Sequence, residues 1–580
     1  MPKSTIANII VETLANIGVR RVYGVPGDSL NAITDSIRTH PSIDWVHTRN
    51  EEAAAFAAGA DAHLTGTLAV CAGSCGPGNT HLINGLYDCQ RSRVPVLAIA
   101  AQIPTREIGS DYFQETKPDH IFKDCSFYCE TISHPSQMPR VLEIAIRTAI
   151  AKQGVAVIIL SGDTALEEAV LARIPLALEA VKPLQPIVTP EPAVLSLAAQ
   201  MISAASRITI LGGAGCAEAH SELLALAEAT KAPIVHALRG KEYIDYDNPY
   251  DVGMTGLIGF TSGHYAMQHC DLLLMVGTDF PYTPFFPSDA KVIQIDLRGE
   301  HIGRRTSVDL GLVGTVRDTL RALIPLLAIK TDATHLEHAQ SHFKQARKGL
   351  DELATGEPGK QIIHPQHLTA ILDKLASPDA VFTCDVGTPT VWAARYLRMN
   401  GQRRLIGSFN HGSMANALPQ AIGAQMAFPN RQVISMSGDG GLAMLMGEML
   451  SLKQLNAPVK IIVFQNNALS FVELEMKAVG IISFGTDLVN PDFAKLADAC
   501  GIFARNVDSP DELESAVAAA LAHPGPALVA VQVAKQELSM PPTISLEQAK
   551  GFGLYMVKAI LNHRGDELVD LAETNLRAFI

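Results

Sequence analysis

Short, unbroken apolar runs bounded by glycine or proline recur along this chain and limit it to very few folds. Four lie before about residue 185, at 22–25, 68–71, 96–100 and 155–160; three follow at 208–211, 272–276 and 292–295, and two more at 431–437 and 459–464. Runs this short and this apolar, alternating with helix-length segments, fit strands of a parallel sheet covered on both faces. Two segments separate the three stretches: Lys182-Pro183-Leu184-Gln185-Pro186, and a polar segment over 331–360. The expected fold is α/β, with three doubly wound parallel-sheet domains over 1–182, 183–335 and 336–535. A C-terminal amphipathic helical tail follows over 536–580. The first and third domains look alike in pattern.

One pair of runs carries chemistry. Run 431–437 ends in Gly438-Asp439-Gly440, and run 459–464 delivers Gln465-Asn466-Asn467, with Asn466 27 residues beyond Asp439. A carboxylate and a side-chain amide at the ends of adjacent parallel strands make half of an all-oxygen shell. Mg²⁺ prefers such a shell and completes it with phosphate oxygens and water. The glycines let backbone approach a diphosphate closely. A plain turn followed by a polar loop uses the same residues, so the motif alone leaves both readings open.

Lys and Arg number 46 against 59 Asp and Glu, a net charge of −13, which argues against nucleic acid as a main ligand. Mean hydropathy is +0.16, yet no run reaches the roughly 18 apolar residues of a spanning helix. Ile6, Ile9, Ile10, Leu14 and Ile17 recur at helical spacing around Glu12, an amphipathic first helix rather than a signal peptide. Nine cysteines without a CxxC pair read as reduced, buried thiols of a cytoplasmic protein.

Glu51 is a second anchor. It opens a small-residue helix over 51–60, where partial desolvation raises a carboxyl pKa. The helix dipole also favours an N-terminal glutamate, and Glu52 fits that alternative better. Gly73-Ser74-Cys75-Gly76-Pro77-Gly78-Asn79 joins a strand to a helix, Phe113-Gln114-Glu115 lies in a loop, and Gly412-Ser413-Met414 precedes a helix expected near Ala415. Leu211-Gly212-Gly213-Ala214-Gly215 is a weak dinucleotide hint, lacking the full GxGxxG. Gln294-Ile295-Asp296 ends a strand, where nucleotides sit in open α/β sheets. After Met540-Pro541-Pro542, Phe552, Tyr555, Met556, Ala559 and Ile560 share a helical face flanked by Lys550 and Lys558. Pattern alone favours packing of that face on the protein over a lipid interface.

Together these motifs resemble thiamine diphosphate (ThDP) enzymes, and among them the ThDP- and FAD-dependent pyruvate oxidases of the bacterial, quinone-linked, membrane-associated type. Ala69-Val70-Cys71-Ala72-Gly73-Ser74-Cys75-Gly76-Pro77-Gly78-Asn79, Gly407-Ser408-Phe409-Asn410-His411-Gly412-Ser413-Met414-Ala415-Asn416 and Gln548-Ala549-Lys550-Gly551-Phe552 carry the resemblance. It implies that the first domain binds the cofactor's pyrimidine, the second FAD, the third the diphosphate and Mg²⁺, and that the tail binds membrane lipid. It implies Glu51 at the pyrimidine N1′, with Asn50 where a histidine is frequent, and Met414, beside Gly412 and Ser413, as the prop under the thiazolium. Asp439, Asn466 and the Ala468 carbonyl are the implied metal ligands, with Asn467 a rival. Gly440, Gly441, Leu469, Ser470, Phe471 and Val472 complete the ThDP contacts. Met254, Thr255, Gly256, Leu257, Gly277, Thr278, Asp279, Phe280, Pro281, Ile295 and Asp296 are the implied FAD contacts. Phe113, Gln114, Phe471 and Glu475 fall on the substrate side.

The activity so implied is oxidative decarboxylation of pyruvate to acetate and CO₂ through a ThDP carbanion. Electrons pass through FAD to ubiquinone or a similar quinone at the inner face of the cell membrane. The resemblance also implies a homotetramer in which Glu51 and Asp439 of each site come from different subunits. Acetolactate synthase-type carboligation, an oxygen-reducing pyruvate oxidase and a catalytically silent membrane-associated binding protein are the alternatives.

Overall fold

A computed structural model describes residues 4–169, 187–356, 361–537, 546–562 and 564–575. The segments 182–186 and Met540-Pro541-Pro542 lie outside the described residues. Three six-stranded sheets follow one another, each wholly parallel.

The first contains β1 (Arg21–Gly24), β2 (Asp44–His47), β3 (Ala69–Gly73), β4 (Val96–Gln102), β5 (Tyr128–Ile132) and β6 (Val155–Ser161), in the order β2-β1-β3-β4-β6-β5. The third contains β13 (Val381–Cys384), β14 (Arg404–Gly407), β15 (Val433–Gly438), β16 (Lys460–Gln465), β17 (Phe503–Val507) and β18 (Ala527–Gln532), in the order β14-β13-β15-β16-β18-β17. The two orders are the same, as the sequence pattern suggested. The middle sheet contains β7 (Ile208–Gly212), β8 (Ile234–His236), β9 (Asp251–Met254), β10 (Leu272–Val276), β11 (Lys291–Asp296) and β12 (Leu310–Val313), in the order β12-β11-β10-β7-β8-β9. Counted from the middle, that is the 3-2-1-4-5-6 order of dinucleotide-binding sheets. β3, β4, β6, β7 and β10 are buried along their whole length, which explains their unbroken apolar runs.

The direction of strand addition reverses between β1 and β3, between β7 and β10, and between β13 and β15. Ligands of open α/β sheets bind at the carboxyl ends of strands at such switch points. Gly438-Asp439-Gly440 leaves β15 there, and Gly73 closes β3 in the same manner.

The first and third domains meet through two helices. In helix Glu51–Thr65 every residue from Ala53 to Ala58 is fully buried. It crosses helix Ala417–Ala427, where a Cβ on Gly423 would stand 2.0 Å from the Ala57 carbonyl oxygen. Against helix Pro77–Ser92, a Cβ on Gly85 would stand 2.5 Å from that of Ala55. Alanine and glycine occupy these positions because the backbones touch.

The segment 331–360, expected as a polar link, instead holds the 20-residue helix Thr334–Leu353. It packs on helix Thr261–Gln268 and on β9 through Leu336 and Ala339, so the expected 335/336 boundary falls inside it. A helix buried on one narrow stripe carries mostly polar residues, and by composition alone it looks like a linker.

Part of the tail folds back on the third domain. Helix Leu546–Leu561 packs against helix Ser470–Ala478, and a Cβ on Gly551 would stand 2.2 Å from the Ala478 carbonyl oxygen. The helical face expected from the pattern is split. Tyr555 and Ala559 are fully buried, while Met556 is 42% and Ile560 62% exposed. Contacts run along Gly551, Tyr555 and Ala559, spaced by four, which leaves the flanking apolar residues outside. Among the described residues no helix is long and apolar enough to cross a membrane.

Candidate active site

Asp439 opens the short helix Asp439–Met444 at the end of β15, and its carboxylate gathers the surrounding loops. One oxygen accepts from the Gly440 N–H at 2.9 Å. The other accepts from the Asn466 N–H at 3.1 Å, the Asn467 N–H at 2.6 Å and Asn490 Nδ2 at 2.9 Å. Burial raises its pKa, and these N–H donors offset only part of the rise. The Asn466 amide oxygen accepts the Ala468 N–H at 3.1 Å. Asn467, the rival ligand, has a left-handed backbone (φ 56°), and its Oδ1 is held by Gln465 and Asn490. The Asn466 amide oxygen carries one such bond and the Asn467 oxygen two.

The expected donors, one carboxylate, one amide oxygen and one backbone carbonyl, are all hard oxygens of the kind Mg²⁺ takes alongside phosphate. A Cβ on Gly440 would stand 3.0–3.4 Å from Leu488, Leu469 and Met414. There is thus little space for a side chain at Gly440, and its bare backbone keeps the turn after Asp439 close to Met414. Gly412 and Ala415, on either side of Ser413 and Met414, are left-handed at φ 85° and 65°. The expected helix therefore starts at Ala417 rather than near Ala415.

Asp385, just beyond β13, ties this motif to the Met414 loop. Its two oxygens accept from the Ala417 and Gly438 N–H groups at 3.0 and 3.2 Å. Burial pushes its carboxyl up to about 7.

Glu51 is buried at the start of its helix. Its Oε2 lies 2.9 Å from His81 Nδ1, and its Oε1 faces Gly78, where a Cβ would stand 2.9 Å away. Asn50 is the N-cap, its Oδ1 accepting from the Glu52 N–H at 2.8 Å. Buried Glu448 takes the Arg49 and Asn50 N–H groups at 2.9 and 3.0 Å, so the third domain holds the turn that aims Glu51. Glu52 points elsewhere: it accepts from Asn84 Nδ2, which also donates to Ser413 Oγ, while His411 Nε2 meets Asn84 Oδ1 at 2.8 Å. Asn84 thereby fastens the 411–413 loop to helix Pro77–Ser92.

Gln114 is left-handed (φ 63°), packs on Gly76 and accepts from the Cys75 thiol at 3.3 Å. Phe113 is 77% exposed at the loop's tip.

A cavity of about 880 Å³ opens at the β7/β10 switch point. Met254 to Leu257, Gly277 to Pro281 and Asp296 line it, together with Gly213, Ala214 and Gly215 of the weak glycine hint. Ile295 lies behind, buried in β11. Arg93, Arg239, Arg298 and Arg317 also line it. Thr255 Oγ1 is buried there without a hydrogen-bond partner. A Cβ on Gly213 or Gly215 would stand 2.6–2.7 Å from Gly277. Close backbone, several cations and an unpaired hydroxyl suit a nucleotide with phosphates such as FAD. Asp279 does not face the cavity as a lone anion. Burial raises its pKa, but Arg305 at 2.8 Å and Arg93 at 3.2 Å outweigh this and hold the carboxylate below its usual range.

Phe471 and Glu475, one turn apart on helix Ser470–Ala478, line the far end of the same cavity with Val386, Gly387 and Phe409. Neither Glu51, Asp439 nor Phe113 lines it. His81, Asn84, Asp385, Asn490 and the four arginines escaped the sequence reading. Asp385 alone left a signal, a carboxylate after a short apolar strand.

Comparison with known proteins agrees with this arrangement. Residues 4–121 match the family described as thiamine pyrophosphate enzyme, N-terminal TPP binding domain; 195–323 match the central domain and 385–531 the C-terminal TPP binding domain. The pyruvate oxidase of Lactiplantibacillus plantarum is 31% identical over 528 residues, 89% of this chain and 86% of that one. An acetolactate synthase of Arthrospira platensis is 31% identical over 557 residues, 92% and 94% of the two chains. An uncharacterised protein of Pseudomonas amyloderamosa is 58% identical over 353 residues, 61% and 89%. With all three domains matched in order and two relatives aligned along nearly their full length, the chain belongs to the thiamine diphosphate-dependent enzymes.

Proposed function

We propose that this enzyme oxidatively decarboxylates pyruvate to acetate and CO₂ and passes the electrons through FAD to a membrane quinone. The observation that carries the reading is the continuous cavity from the β7/β10 switch point to Phe471 and Glu475. It would bring a flavin lodged in the middle domain up to the substrate end of the third.

Bound ThDP supplies a carbon nucleophile and an electron sink for the bond broken as CO₂ leaves, and bound FAD takes up two electrons. The residues of this chain do the rest. Glu51 would hold a proton toward the pyrimidine N1′ from its buried position beside His81, after the Asn50 N-cap. Asp439, Asn466 and the Ala468 carbonyl would hold Mg²⁺, which would bind the diphosphate. Met414, in a loop held by left-handed Gly412 and Ala415, would support the thiazolium. Gln114 would orient the substrate carboxylate, with Phe471 and Glu475 on the substrate side of the cavity and Phe113 on the exposed loop beside Gln114.

In the same reading, the exposed Leu554, Met556, Val557, Ile560 and Leu561 of the tail helix rest on lipid, with the enzyme at the inner face of the membrane as a homotetramer. Carboligation to acetolactate is the second reading, favoured by the synthase relative of equal identity.

The test is an anaerobic visible spectrum during pyruvate addition, with acetate and acetolactate measured at the end. Bleaching of a flavin band that requires both ThDP and Mg²⁺, with acetate as product, supports oxidation. Acetolactate without bleaching overturns it, and peroxide release in air identifies oxygen as the acceptor.

A further inference from the structure

We propose that Asp385 is a positioning residue that fixes the spacing between the Met414 loop and the Gly438-Asp439 motif. The inference rests on the ThDP reading of that site. Asp385 stands at the β13/β15 switch point and touches both sides of it. Oδ1 accepts the Ala417 N–H, at the first residue of helix Ala417–Ala427 and three residues from Met414. Oδ2 accepts the Gly438 N–H, the residue before Asp439.

The backbone around Asp385 is equally tied. Its N–H donates to the Met436 carbonyl, its own carbonyl accepts from Thr390 Oγ1, and Asn416 Nδ2 donates to the Cys384 carbonyl. A Cβ on Gly441 would fall 2.3 Å from Oδ2, so the turn after Asp439 is shaped around this carboxylate.

A buried carboxyl whose two oxygens each accept a backbone N–H from a different segment forms a short, stiff bridge between them. Met414 is expected under the thiazolium, and Asp439 on the metal that holds the diphosphate. A cofactor gripped at both points is bent correctly only if their separation is fixed, and Asp385 fixes it without touching either group.

The experiment compares wild type with Asp385→Asn, which keeps the shape but turns an N–H toward one of the two donors, and Asp385→Glu, which keeps the charge but lengthens the bridge. Amide hydrogen exchange is measured on the cofactor-free protein over 412–417 and 438–441. Mg²⁺–ThDP affinity is measured by calorimetry, and kcat at saturating ThDP. Exchange should quicken in both segments together. The Kd should rise at least about tenfold, in the range found for partners that orient metal ligands, and kcat should stay depressed at saturation. An effect only on folding would instead be rescued by added cofactor.

Exchange that changes in one segment only, or an unchanged Kd in a folded variant, overturns the proposal. Collapse of both variants also counts against it, since a group that serves the site alone would leave the fold standing. If wild type itself binds no Mg²⁺–ThDP, the cofactor reading falls, and the exchange data still decide whether Asp385 couples the two loops.

Discussion

His81 Nδ1 lies 2.9 Å from Glu51 Oε2, joining a buried carboxyl to an imidazole whose side chain is 49% exposed. The pair links the interior of the first domain to solvent across the face of helix Pro77–Ser92. A proton exchanged at Glu51 would therefore have a short route out.

Glu51→Gln keeps the size of the side chain and removes its proton chemistry. Turnover should fall by about 10²–10⁴, the span typical of a lost general acid–base group. Mg²⁺–ThDP binding by calorimetry should persist. Undiminished turnover would show that the carboxyl plays no part.

Asp439→Asn puts an N–H where four donors converge. The cofactor-free protein should lose about 1–3 kcal/mol of stability from unmatched N–H groups. Mg²⁺ with ThDP should no longer raise its melting temperature, as it does for any protein whose folded state binds the ligand. A variant whose Tm still climbs with Mg²⁺ would place the metal elsewhere.

Asp88 gives a pH signature. Burial pushes its carboxyl up to about 6, only partly countered by hydrogen bonds from Ser408, Gln420 and Ser92 and by the charge of Arg239. An unfolded aspartate titrates near about 3.9. Between about pH 4 and pH 6 the folded state keeps a proton that the unfolded state has lost. Stability therefore falls as pH rises through that window and stays lower above it. Asp88→Asn removes this dependence, so its stability relative to wild type should improve by about 2 kcal/mol from pH 4 to pH 7. Denaturant titrations of both proteins at the two pH values measure this; parallel curves would contradict it.

Gly423→Ala forces a methyl group to 2.0 Å from the Ala57 carbonyl oxygen. Backbone cannot yield as a flexible side chain does, so the two helices must part. The expected cost is at least about 1–3 kcal/mol, read as a lower unfolding midpoint with secondary structure retained in circular dichroism. An unshifted midpoint would mean that the helices are not in contact.

Removing residues from 547 onward should leave activity with a soluble acceptor while abolishing sedimentation with anionic lipid vesicles. The tail helix offers Leu554, Met556, Val557, Ile560 and Leu561 to solvent. Its other face is pinned, with Lys558 and Arg564 donating to the carbonyls of Gly480 and Ser483 at 2.7 Å. Equal vesicle binding by the truncated protein would assign the lipid contact to another surface.

The strands were legible because each is a short run buried on both faces, which needs no knowledge of its neighbours. Asp439 and Asn466 were legible for a related reason: a strand end fixes where a side chain emerges, and their strands β15 and β16 are adjacent. Glu51 was visible as the polar residue opening an alanine-rich helix. The segment holding the helix over 334–353 read as a polar link, because only Leu336 and Ala339 are buried, with Phe343 and Leu350 partly so, and most other positions are polar.

Tertiary structure alone decided what surrounds those anchors. Asn490 reaches Asp439 across 51 positions and Gln420 reaches Asp88 across 332; no local pattern encodes such pairings. The residues around the β7/β10 cavity are likewise scattered from Ala62 to Glu475. Sequence dictates local conformation and burial through side-chain chemistry along one segment. Which loops then converge depends on strand order and on how closely glycine and alanine let helices approach, and these follow only when the whole chain packs.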